Sequence, residues 1–136
     1  MSGDPERGRA ANRRGQARQA LCAAYLRDRD LYPQARHVGQ YPGTAWQSDL
    51  SHVGARVVEV TVVPWDKVPA KLRQAEQAAS HGDLGEAWVW KHLSRGPSES
   101  GSVADSLMMA RAKVVWPLLR ELDDLRKLAA YWSGRS

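Results

Sequence analysis

A single cysteine in 136 residues has no partner for an internal disulfide, which removes the disulfide-stapled secreted scaffolds and points to a reducing compartment. Long apolar runs are missing too. No stretch approaches the length of a membrane span, and the N-terminal MSGDPERGRAANRRG carries basic residues without the apolar segment of a signal peptide. A cytoplasmic location with no membrane partner is therefore expected. His37, His52, His81 and His92 lack zinc-ligand spacing, and one thiol cannot complete a thiolate site. Neither a glycine loop of the nucleotide-binding types nor a nucleophile-elbow serine occurs. These absences exclude structural zinc, nucleotide hydrolysis and acyl transfer.

What is present is a chain long enough for one hydrophobic core and too short to divide comfortably into two. Its formal charge of +5 comes mainly from arginine, whose planar, permanently charged head suits phosphate. A polyanionic partner and a merely soluble basic surface both fit that charge. Residues 1–11, rich in Gly, Arg and Ala, are expected as a basic mobile arm, 12–132 as the folded domain, and 133–136 as a disordered tail.

From Asn12, apolar positions at Ala17, Ala20, Leu21, Ala24 and Tyr25 predict a helix to about Arg29, with Cys22 on its apolar side. A short strand follows at Gln34–Val38, then a turn-forming loop around Pro42 and Gly43. Ala45–Val63 reads as two strands joined at His52–Gly54, the second rich in valine on both faces and hence expected to be central. Asp66 can cap a helix from Val68 to Ser80, ended by Gly82. Strands are predicted at Glu86–Leu93, where Trp88 and Trp90 share a face, and at Ser106–Arg111. In the last helix, from Val114 to Tyr131, Val115, Leu118, Leu119, Leu122, Leu125 and Leu128 form the expected buried stripe. The order is α-β-β-β-α-β-β-α, an α/β domain with a mixed central sheet flanked by helices.

Asp49 and Glu59 are the residues that could carry chemistry. They lie on successive strands, where a short connection can bring the carboxylates together. Glu59 stands among Val57, Val58 and Val60, surroundings in which an unpaired carboxylate is costly, so it requires a cation, a hydrogen-bonding partner or a wet cleft. Two hard oxygen ligands suit Mg²⁺ or Mn²⁺, which can activate water for phosphodiester cleavage. The plainer alternative pairs Glu59 with an arginine and leaves Asp49 to shape a turn.

Asp49 followed by Glu59-Val60-Thr61 resembles the PD-X(n)-(D/E)-X-K signature of the PD-(D/E)XK nucleases, with Ser48-Asp49 in place of Pro-Asp and Thr61 in place of lysine. The wider run, from AAYLRDR through QARHV, the glycine loop, KLRQAEQAA, WVWKHL and SLMMARAKVVWPLLREL, is similar to the small Holliday-junction-resolvase-like endonucleases of actinobacterial phages and mobile elements. The likeness covers residues 13–128. It implies a restriction-endonuclease-like fold and a metal-dependent DNA endonuclease, with Asp49 and Glu59 as ligands to Mg²⁺ or Mn²⁺. Gln74 would help organise the site, and Lys91 would stand in for the missing lysine. Thr61 offers neither a cation nor a useful base, and the family's helix-one glutamate has no counterpart between Gln16 and Gln19.

DNA, branched DNA included, is the implied partner, with Arg13, Arg14, Arg18, Arg36, Lys91 and Arg95 tracking phosphates. Trp46 would stack on an unpaired base or cover the core. The resemblance also admits a homodimer. Two other readings stand beside it. One is a catalytically decayed nucleic-acid-binding protein, and the other is an interaction protein anchored through Trp46, Trp65 or Trp132.

Overall fold

The computed structural model describes residues 5–38, 48–82, 85–92 and 103–134, with side chains described from residue 15 onward except those of 81 and 82. The elements follow in the order α1 (Pro5–Asp28), β1 (Arg36–His37), β2 (Leu50–Ser51), β3 (Arg56–Thr61), a 3₁₀ turn (Trp65–Lys67), α2 (Val68–Gly82), β4 (Glu86–Lys91), β5 (Leu107–Met109) and α3 (Ala112–Ser133). The protein is a mixed α/β structure. None of its helices is long and apolar enough, among the described residues, to cross a membrane.

β3, α2 and β4 form a βαβ unit. β3 and β4 pair in parallel from Arg56 opposite Glu86 to Thr61 opposite Lys91, and β5 adds antiparallel to β4. Alternation along β3 divides its side chains between two apolar clusters. Val58 faces α1 and packs with Cys22, Ala23, Leu50 and Trp90, whereas Val57 faces α2 and packs with Val68, Leu72, Ala75 and Val89. Helix, sheet and helix thus stack in three layers, and a valine-rich strand is what burial on both faces demands. Trp90 meets Tyr25 of α1 edge to face, ring centres 6.1 Å apart.

Several expectations are corrected. Residues 5–11, read as a mobile arm, are helical. Ser133, assigned to the tail, closes α3. The single mixed central sheet is replaced, among the described residues, by two sheets: a three-stranded one in the order β3-β4-β5 and a two-stranded ribbon of β1 and β2. β3 therefore lies at an edge and β4 is central. Valine on both faces reports burial by helices, and burial does not reveal how many neighbours a strand has. β2 and β3 do not form the expected hairpin ladder, because β2 pairs instead with β1. Asp66, expected to cap α2, lies inside the 3₁₀ turn.

The largest departure is α3. It has no buried residue, and Leu119, Leu122, Leu125 and Leu128 of the expected core stripe are exposed. The periodicity that predicts an amphipathic helix says that one face wants cover. It does not say that this chain supplies the cover.

Candidate functional site

The side of β3 away from β4, which has no regular ladder among the described residues, positions the candidate site. An uncovered edge strand presents unpaired backbone groups, and Ser48 and Asp49 satisfy those of β3 without a regular ladder. The Asp49 N–H donates to Val58 O at 3.0 Å. The Val58 N–H donates to Ser48 Oγ at 3.0 Å, while that hydroxyl donates to Leu50 O at 2.7 Å. One step along, the Val60 N–H donates to Asp49 Oδ2 at 2.7 Å. The Asp49 carboxylate is thereby fixed against the strand that carries Glu59.

Glu59 is 4% exposed. It shares the α2 face of the sheet with Val57, beside Val89 of β4. Its carboxyl and that of Asp49 are hydrogen-bonded to each other. Burial first, and the neighbouring Asp49 charge second, push the Glu59 carboxyl up to about 8. Burial also raises Asp49, against the opposing pull of the Val60 N–H and of Glu59. Two neighbouring carboxyls, one buried and one half-buried, cannot both ionise readily, so near neutral pH the pair retains a proton, held by Glu59 and donated to Asp49. The same Asp49 charge reaches Cys22 across the α1 face. Together with burial, the larger cause, it pushes that thiol up to about 12.

One cation acts on both acids. Lys71, half-buried on α2, pulls Asp49 and Glu59 toward their ionised forms. Sequence reading passed over it. Its signal was modest: position 71 adjoins the Val68, Leu72 and Ala75 stripe in the first turn of the helix that follows the Glu59 strand.

Lys91 stands elsewhere. It is 8% exposed and lies opposite Thr61, on the same face as Glu59. Its ammonium sits 4.6 Å from the centre of the Trp65 ring, a cation–π contact, and the lysine charge felt by both acids is that of Lys71. Thr61 is occupied as well. Its Oγ1 accepts the Val63 N–H at 3.2 Å and its carbonyl accepts the His92 N–H at 2.8 Å, which closes the end of β3.

The remaining sequence candidates are dispersed. Gln74 is exposed on α2 and Arg36 is exposed on β1, while Arg18 is half-buried on α1. Arg13 and Arg14 lie on α1, with side chains outside the described part, and Trp46 and Arg95 are outside the described residues altogether. Gln19, one turn before Cys22, has a buried Oε1 without a hydrogen bond among the described residues. A buried oxygen without a donor is costly.

No cluster of three or more His, Cys, Asp or Glu groups suited to a metal occurs among the described residues. Asp49 and Glu59 remain a fit for a hexahydrate-forming ion, since Mg²⁺ commonly takes one or two carboxylates and keeps several waters. Two buried acids that share a proton are also a place where a divalent cation relieves like-charge repulsion. On the opposite face of the sheet, Tyr25, Tyr32, Val58, Trp88 and Trp90 line an apolar cavity of about 370 Å³. Glu59, on the α2 face, does not line it.

Comparison of the chain with protein-family models, with curated proteins and with solved structures finds no match.

Proposed function

We propose that the protein is a DNA endonuclease of the PD-(D/E)XK type, acting on branched DNA as junction resolvases do, with Asp49 and Glu59 as its carboxylate pair. The observation that carries this reading is the buried, mutually hydrogen-bonded Asp49–Glu59 pair under the charge of Lys71. A pair that served only structure would be better satisfied by an arginine, or by apolar residues of the same volume.

Asp49 and Glu59 would hold Mg²⁺ or Mn²⁺, which when bound supplies an activated water and positive charge for the phosphate. The chain's own residues do the rest. Val60 N–H orients Asp49 through Oδ2. Glu59 gives up its proton when a cation arrives, since a ligating carboxylate must be ionised. Lys71 has three N–H donors and no acceptor. It takes the role that lysine at position 61 has in the family, donating to phosphate oxygens whose charge grows as water attacks phosphorus.

The experiment compares cleavage of branched and linear DNA in Mg²⁺ or Mn²⁺ by the intact chain, Lys71→Met and Lys91→Met. Loss of cleavage by about tenfold or more in Lys71→Met, with Lys91→Met much nearer the parent, is expected. The reverse order would remove Lys71 from the site.

A second reading is favoured by the Lys91–Trp65 contact and the engagement of Thr61 with Val63, both of which take side chains away from chemistry. In it the chain binds DNA through its arginines and does not cleave. It predicts salt-sensitive binding with no products in either metal.

A further inference from the structure

Along α3 an ordered apolar seam is largely exposed among the described residues. Val115, Leu118, Leu122, Leu125, Ala129 and Trp132 follow one another at spacings of three and four residues in strict alternation, the a and d positions of a heptad repeat. Leu125 is 56% and Trp132 59% exposed. The helix is roughly 33 Å long at 1.5 Å per residue, and a contiguous apolar strip of that length on a soluble surface marks an interface. The outer side is polar where the heptad requires it. Arg120 and Asp124, at f and c, pair along the helix at 3.2 Å. Pro117 falls at c, so its ring stays out of the seam and its missing N–H is confined to the first two turns.

The charges beside the seam identify the occupant. Glu121 stands at g and Arg126 at e, five residues apart. In a parallel, in-register pair of α3 helices, Glu121 of each copy faces Arg126 of the other, giving two opposite-charge contacts by symmetry. In an antiparallel pair that sets Leu122 against Leu125, Glu121 would face Leu128 and Arg126 would face Leu119. Both charges would then lose their partners.

We propose that α3 docks against α3 of a second copy of this chain as a parallel two-stranded coiled coil, its register set by Glu121 and Arg126. Burial of the seam leucines provides the attraction, and the flanking charges select the parallel arrangement. The pairing does not depend on the function proposed above.

The test is sedimentation of the full chain near neutral pH and low salt, over concentrations up to about 100 μM. A dimer of twice 15.1 kDa is expected. Glu121→Arg and Arg126→Glu should each weaken it by about tenfold. Mixed in equal amounts, the two variants should regain it as a heterodimer, because each repulsive pair becomes attractive. Leu122→Cys should oxidise to a linked dimer with itself; Cys22 is fully buried and does not compete. A wild-type monomer at the highest concentration would overturn the proposal. So would a dimer insensitive to both charge changes, or cross-linking only between Leu122→Cys and Leu125→Cys chains, which reports the antiparallel pair. A variant that loses its helical circular dichroism is replaced in the comparison by the charge pair, whose solvent-exposed positions do not enter the fold.

Discussion

Glu59 is an acid set among valines, and its proton is what makes that position tolerable. Its folded pKa of about 8 lies above the ordinary 4.5, so the folded state binds more protons than the unfolded chain between those values. Its contribution to stability is therefore fullest below about 4.5 and is lost as pH rises through about 8. Urea melts without metal should show stability falling across that window. Glu59→Gln, which keeps a donor for Asp49 and cannot ionise, should flatten the profile and raise stability at pH 8 by about 1–3 kcal/mol. The metal has the opposite dependence. Calorimetric titration with Mn²⁺ should give tighter binding as pH rises from about 6 to about 8, with proton release. Ser48 is tested separately. Ser48→Ala leaves the Val58 N–H without its acceptor and should cost about 1–3 kcal/mol in denaturant melts. Glu59 was legible in the sequence because a charge in a valine run breaks the pattern. Ser48 and Lys71 were not, since their partners are set by folding of distant segments and neither residue type is unusual where it stands.

At the scale of elements, the helix and strand positions followed from periodicity and turn residues, while pairing did not. The valines of β3 announce two covered faces, yet among the described residues its neighbour on one side is β4 and on the other the Ser48–Asp49 segment. No local signal distinguishes a ladder from that side-chain substitute. The connection between β2 and β3 does carry such a signal. Gly54 has φ of +77°, and a Cβ there would lie 2.8 Å from Arg56 Nη1. That guanidinium is engaged by Glu86 at 2.7 Å and by Tyr32 at 2.8 Å, which joins the starts of β3 and β4 to the segment after α1. Gly54→Ala should therefore destabilise by about 1 kcal/mol or more in thermal melts, through backbone strain and displacement of Arg56 together.

For the whole molecule, the three-layer body and the projecting α3 divide the work. The body holds the buried carboxyl pair where the Ser48–Asp49 segment lies along β3, and the proposed pairing of α3 would bring two such bodies together. The seam leucines were visible in the sequence as a stripe, and only the structure showed that they stay exposed among the described residues. Basic residues on α1 supply the reason to expect DNA, and affinity should fall steeply with added salt if several phosphates are contacted. The most direct measurement is cleavage of a labelled four-way DNA junction in Mg²⁺ or Mn²⁺ by the intact chain beside Asp49→Asn and Glu59→Gln. Metal-dependent products from the parent are predicted, with about a hundredfold or greater loss in each variant while low-salt DNA binding persists. Undiminished cleavage by either variant, or no cleavage by the parent in either metal, would contradict the assignment of Asp49 and Glu59 as the centre of a nuclease.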